Sequence, residues 1–195
     1  MTMTQSVQQK DSSTASYTCF CRACAYREED DRFRGADNMA AIFLPEGAKG
    51  VLGVPSQRKL IIKERIPLGI YEYFMARTEL LDSVFLDALK NKFDQIVLLG
   101  AGYDTRALRF HGHNQGTKIF ELDITPTQQL KLDIIDREQI ALPKELIFIP
   151  IDFNRQSLPE VLSAVGYEKN QKNLFLWEGV TMYLTQEAVD NPCRR

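Results

Sequence analysis

Hydrophobic and polar positions change their rhythm about halfway along the chain. Before residue 94 the apolar residues recur at helical spacing. In "TELLDSVFLDALKNKF", Leu81, Val84, Phe85, Ala88 and Leu89 fall at i, i+3, i+4, i+7 and i+8, one face of a helix. Upstream, "VPSQRKLIIKERIPLGIYEYFMAR" also reads as helical, with Pro67 starting a new helix or kinking the old one. "LPEGAKGVLGVP" carries Gly47, Gly50 and Gly53 between two prolines and predicts a loop.

From Gln95 onward, short apolar runs alternate with helical patterns. "QIVLLG", "TKIFELD", "LIFIPID" and "NLFLWEG" are rich in branched and aromatic residues and read as strands. Their near-continuous apolarity suits strands covered on both faces. Between the second and third lies "TPTQQLKLDIIDREQI", with Thr125 as N-cap and Pro126 at the first helical position. Between the third and fourth, "SLPEVLSAVG" has Ser157 and Glu160 at capping-box spacing and Gly166 at the stop. Strand–helix alternation of this kind means a parallel sheet with right-handed crossovers. The expected fold class is α/β, a Rossmann-like doubly wound parallel sheet of about four strands with an N-terminal helical cap. Residues 1–16 read as a flexible polar lead-in, 17–93 as the cap and 94–195 as the sheet domain.

Composition narrows the class. The 195 residues are 44% apolar, enough for a sizeable core, and no apolar run is long enough to cross a bilayer. A net charge of −2 with scattered basic residues argues against a nucleic-acid surface. The opening segment lacks the apolar core of a signal peptide, so a cytoplasmic protein is expected. Cys19, Cys21 and Cys24 lie in "CFCRAC" and Cys193 near the end. No second Cys/His pair completes a metal set, and no disulfide is expected in a cytoplasmic chain. The three grouped cysteines read as small packing residues of a helix. His111 and His113 fall in a loop without a third metal ligand.

In doubly wound sheets, ligands sit outside the carboxyl ends of the strands. Here each strand end carries an acid: Asp104 after the first, Glu121 and Asp123 at the second, Asp152 after the third, Glu178 after the fourth. Only one of Glu121 and Asp123 is expected to face a ligand. Asp104 reads equally as a helix cap. Gly100 and Gly102 permit a sharp turn and close backbone approach. The dinucleotide fingerprint needs a third glycine, and that position is Thr105; a nicotinamide-dependent oxidoreductase is therefore disfavoured. A ring of acids is also a poor host for pyrophosphate.

S-adenosylmethionine fits better. It has no phosphate, and its sulfonium, ammonium, ribose hydroxyls and adenine amine favour acceptors or negative potential. Asp123 can accept from the ribose, Asp152 from the adenine amine, and Phe153 can pack on the ring. The methionyl carboxylate needs a cation, which Arg106 at the sheet or Arg77 or Arg22 from the cap can supply.

The same segments resemble the leucine carboxyl methyltransferase family. "VLLGAGYDTRALR" is similar to its glycine motif, "FELDITPTQQLK" to its ribose-binding segment, and "FIPIDF" and "LFLWEGVTMYLT" to its third and fourth motifs. "GIYEYFMARTELLD" resembles the cap helix whose arginine holds the methionyl carboxylate, and "SSTASYTCFCRACA" the opening helix. The resemblance implies cofactor contacts by Arg77, Gly100, Gly102, Asp123, Asp152, Phe153 and Glu178, with Arg22 where the family places a second basic residue. It implies an O-methyltransferase whose acceptor is a small molecule or a protein C-terminus. No residue is assigned as catalytic; Tyr183, near the fourth strand end, is the nearest to a general-base candidate. Because the family continues beyond "VTMYLT", the chain is expected to be a shortened member. A remnant that binds cofactor without catalysis is the alternative, and the fourth strand would be an exposed edge open to self-association.

Overall fold

The computed structural model describes the backbone of residues 3–186 and 189, with side chains described from Thr14 onward. Cys193 and the helix break expected at Pro192 lie outside the described residues. Four strands, β1 (Gln95–Leu99), β2 (Lys118–Asp123), β3 (Leu146–Pro150) and β4 (Asn173–Trp177), form one sheet in the order β3-β2-β1-β4. All pairings are parallel. The helices are α1 (Met3–Ala25), α2 (Glu46–Leu52), α3 (Pro55–Arg65), α4 (Ile70–Lys90), α5 (Arg106–Arg109), α6 (Thr125–Arg137) and α7 (Leu158–Ser163). The fold is α/β and Rossmann-like, as expected.

Strand alternation explains why helices cover both faces. Ile96 and Leu98 of β1 pack with Phe85, Ala88 and Leu89 of α4. Val97 and Leu99 turn the other way, onto Phe120, Leu122 and the α7 residues Leu158 and Leu162. A third cluster seats Cys19, Ala23 and Cys24 of α1 against Phe43, Tyr103 and the α6 residue Ile135. Burial pushes the thiol of Cys19 up to about 11 and those of Cys21 and Cys24 up to about 12. Neutral and buried, they pack as small side chains, and Cys19 donates to the Ala40 carbonyl at 3.0 Å.

The central strands carry the burial expected of all four. β1 is buried throughout, whereas β3 and β4 lie at the sheet edges and are only half covered. No strand pairs with the outer edge of β4 among the described residues, and Phe175 is exposed there.

Two segments depart from the sequence reading. Residues 46–52 form α2, where a loop was expected. Pro45 stands just before the helix, a Cβ at Gly47 or Gly50 would touch nothing, and buried Leu52 anchors the inner side. The glycines weaken this helix without forbidding it, and packing decides. The polar lead-in is likewise drawn into α1, which starts at Met3. No glycine or proline interrupts that stretch, so a helix nucleated by the packed end propagates through it. Pro67 falls in the break between α3 and α4. Ile124, not Thr125, is the N-cap of α6. Ser157 is the N-cap of α7, though its side chain makes no capping bond, and Gly166 follows the helix at φ +80°.

Beneath the sheet's ligand rim lies a buried ion pair, Lys131 Nζ to Glu121 Oε2 at 2.5 Å, each side chain 1% exposed. Lys131 also donates to the Asp104 carbonyl at 2.6 Å. Burial pushes the Glu121 carboxyl up to about 7, while Lys131 pulls it back down. A raised acid contributes stability that is full below the unfolded value and is lost as pH rises through the folded one. Lys131→Met leaves this carboxylate unpaired and is expected to destabilise the fold by about 3–5 kcal/mol at pH 8. At pH 5 the loss should be smaller, because Glu121 then takes up a proton. Urea unfolding at the two pH values checks this; equal losses would mean that Glu121 does not change protonation between them.

Candidate functional site

Chain order and spatial order disagree at one place in the sheet. β1 leads to β2 and β3 on one side, and β4 then returns to the other side of β1. The loops that follow β1 and β4 diverge there and leave a crevice. A cavity of about 400 Å³ occupies it, roofed by residues of α1 and α4. Arg22, Arg77, Gly100, Gly102, Asp123, Asp152, Phe153 and Glu178, the positions singled out from the sequence, all line this cavity.

The loop after β1 can lie close to its neighbours because it lacks side chains at two points. Gly100 has φ +66° and Gly102 φ +51°, both left-handed. A Cβ on Gly100 would stand 2.1 Å from the Val180 side chain, and one on Gly102 3.2 Å from Ala15 of α1. Asp123 ends β2 and ties the two strand ends together. One carboxylate oxygen accepts from the Gly102 N–H and the other from its own neighbour, Ile124, at 2.7 Å. Asp152 follows β3, where it accepts from the Asn154 N–H at 3.0 Å.

A network of charge runs along the cavity wall and, through Asp37, Arg109 and Asp82, behind it. Arg22 Nε lies 2.8 Å from Asp37, and Asp37 lies 3.4 Å from Arg109. Arg109 grips Asp82 with two nitrogens, each at 2.8 Å. Asp82 also meets Arg106 at 2.8 Å. Arg106 then reaches Asp104 at 2.6 Å and Glu178 at 3.1 Å, and Glu178 lies 2.7 Å from Arg77. Four arginines and three carboxylates thus alternate from Arg22 to Arg77, with Asp104 as a branch on Arg106. Burial opposes the charge on Asp104, but Arg106 and Lys131 outweigh it and hold its carboxyl below the usual range.

This network revises the expected ring of acids. Asp104 and Glu178 line the cavity but are neutralised by Arg106. Asp104 also accepts from the Arg106 N–H at 2.7 Å at the start of α5, whose N-cap is Thr105. Glu121 is outside the lining altogether. Strand alternation puts it on the same face as Asp123, and depth along β2 is what buries it against Lys131. His111 and His113 form a short 3-10 turn away from the cavity, with His111 Nδ1 against the Leu108 carbonyl at 2.8 Å.

Sequence reasoning missed Asp37, Asp82 and Arg109. Asp82 had a readable signal, since it flanks the apolar face of α4. Asp37, in "GADN", had none. Also unforeseen was the closure of α1 over the mouth: Thr14 hydrogen-bonds the Tyr183 hydroxyl across the cavity.

Arg77 is held differently from the other arginines. Its guanidinium lies over the Phe74 ring at 4.8 Å and the Tyr73 ring at 5.3 Å. Although Nε is close to Glu178, its N–H is not directed at that carboxylate and has no hydrogen-bond acceptor among the described residues. A guanidinium stacked on two rings at the cavity wall is suited to receive an anion.

The family model for leucine carboxyl methyltransferase matches residues 15–195. The chain belongs to the leucine carboxyl methyltransferase family. A relative from Frankia alni is 30% identical over 94% of this chain and 63% of its own length. One from Streptomyces coelicolor is 29% identical over 91% of this chain and 61% of its own. One from Mycobacterium avium is 31% identical over 94% of this chain and 60% of its own. Each carries the name "putative S-adenosyl-L-methionine-dependent methyltransferase". The chain spans about three fifths of the length of these curated relatives.

In this leucine carboxyl methyltransferase family member, the backbone at Gly100 lies too close to Val180 for any side chain. Gly100→Ala adds a left-handed alanine and a clash, and is expected to destabilise the fold by about 2–4 kcal/mol. Gly112→Ala, where a Cβ would meet nothing within 4 Å, should stay within about 0.5 kcal/mol of wild type. Chemical denaturation of both variants checks the contrast.

Proposed function

We propose that this family member is an S-adenosylmethionine-dependent O-methyltransferase whose acceptor is a carboxyl or hydroxyl group of a small molecule or a protein C-terminus. The observation that carries the reading is the pairing of opposite chemistries in one cavity. Arg77, stacked on Phe74 and Tyr73, and Arg22 share it with the carboxylates of Asp123 and Asp152. A ligand that presents an anion, a cation and several hydroxyl or amine donors matches that set. A pyrophosphate matches it poorly, because Thr105 occupies the third-glycine position and two carboxylates face the same space. The names of the relatives support the same cofactor.

When bound, S-adenosylmethionine supplies a methyl group already activated on a cationic sulfur. The chain's own residues bind and orient. Arg77 and Arg22 would hold the methionyl carboxylate, and Gly100 and Gly102 would let the backbone approach. Asp123 would accept from the ribose hydroxyls, Asp152 from the adenine amine, and Phe153 would cover the ring. The family resemblance adds Glu178, whose carboxylate, shared between Arg77 and Arg106, would accept a hydrogen bond from the ammonium. Catalysis by such a site is mainly positioning and the exclusion of water. A carboxylate acceptor needs no general base. A hydroxyl acceptor does, and no side chain is assigned that role. Among the described residues no helix is long and apolar enough to cross a membrane; a cytoplasmic location belongs with this proposal.

Titration calorimetry with S-adenosylhomocysteine and with NAD tests the reading. The first should bind and the second should not; binding of NAD alone overturns it. Asp123→Ala should weaken S-adenosylhomocysteine by about 1–3 kcal/mol, through lost charge-assisted hydrogen bonds. Unchanged affinity would remove Asp123 from the site. Methyl transfer, assayed once binding is established, separates an enzyme from a domain that only holds cofactor.

A further inference from the structure

We propose that Asp37 is a positioning residue for cofactor binding, which fixes Arg22 across the cavity wall with Thr105 as its latch. The inference rests on the cavity being an S-adenosylmethionine site. Asp37 is 2% exposed and does not line the cavity, so it acts on a ligand only through others. Its orientation is set locally: one oxygen accepts from the N–H groups of Met39 and Ala40, at 3.1 and 2.9 Å. The other oxygen accepts from Arg22 Nε at 2.8 Å and from the Thr105 hydroxyl at 2.8 Å. The Arg109 guanidinium stands behind it at 3.4 Å.

Arg22 is thereby clamped at two points, Nε on Asp37 and Nη2 on the Tyr103 carbonyl at 2.6 Å. A planar guanidinium gripped twice has one orientation left. Nη1 takes part in neither clamp, and Arg22 lines the cavity. An unclamped arginine would lose much rotamer freedom on meeting an anion; here that loss is taken in folding, which strengthens binding. Thr105 acquires a purpose by the same geometry. It occupies the place where a dinucleotide site carries its third glycine, and its hydroxyl spends its proton on Asp37.

Asp37→Asn separates positioning from general damage. The amide oxygen can still serve Met39 and Ala40, while its N–H is set against the N–H of Arg22. Calorimetry compares S-adenosylhomocysteine with 5′-methylthioadenosine, which keeps the nucleoside and sulfur but lacks the amino-acid carboxylate. The variant should bind S-adenosylhomocysteine about tenfold more weakly and 5′-methylthioadenosine within about twofold of wild type. In an Arg22→Met background, Asp37→Asn should cause no further loss. Equal weakening of both ligands, no weakening of S-adenosylhomocysteine, or an additive loss in the Arg22→Met background overturns the inference while leaving the cofactor reading intact. Failure of wild type to bind S-adenosylhomocysteine overturns both. If Asp37→Asn does not fold, Thr105→Val, which withdraws one donor from Asp37, should show the same ligand-selective loss in smaller measure, and its absence there overturns the inference.

Discussion

The structure depends on an alternating run of arginines and carboxylates that joins the helical cap to the sheet. It starts at Arg22 on α1 and passes through Asp37, Arg109, Asp82, Arg106 and Glu178 to Arg77 on α4, with Asp104 as a branch. Burying eight charges is not by itself stabilising, because desolvation offsets most of the attraction. What the arrangement supplies is position. Each guanidinium is a planar fork with fixed donor directions, and each carboxylate between two forks removes a degree of freedom from both. The cap cannot slide on the sheet without breaking several of these pairs while they are buried. Both arginines at the ends, Arg22 on α1 and Arg77 on α4, line the cavity, as does Arg106 between them.

The cavity follows from a topological accident and two missing side chains. β4 crosses back beside β1, so the loops after these strands part company at the sheet rim. Gly100 lets the first loop turn under Val180, and Gly102 lets α1 come down on it. Charge then sorts the rim. Arg106 neutralises the acids after β1 and β4, and the carboxylates of Asp123 and Asp152 remain along the cavity. That division gives the site a cationic contribution from the cap and an anionic one from the sheet, which suits a zwitterionic nucleoside better than a phosphate.

Legibility varied with the range of the interaction that decides each feature. The four strands were readable because their apolar runs and their turn residues are local, and β1 is buried as its composition predicts. α2 was unreadable: Gly47 and Gly50 speak for a loop, and only the burial of Leu52 in the cap reverses them. The start of α1 was missed for a related reason, since a polar segment borrows helicity from the packed turns that follow. Glu121 and Asp123 look interchangeable in "FELD". They differ because Lys131, ten residues on and facing them from α6, takes one and leaves the other at the rim. Asp37 carried no signal at all, since its meaning lies in partners from α1 and from the β1–α5 turn.

The sequence by itself determined the α/β class, the parallel strands, the glycine turn and the set of residues that end on the cavity. These follow from periodicity, from backbone freedom at glycine and from the rule that ligands gather at strand ends, all of which act over a few residues or by topology. Tertiary structure alone decided which charges face the cavity and which are consumed within the protein. Ionic pairing in a buried layer depends on distances between segments far apart in the chain, and no local pattern encodes them. The acids that looked like a ring became two neutralised anchors, one buried core pair and two carboxylates along the cavity, because the arginines that reach them come from other elements.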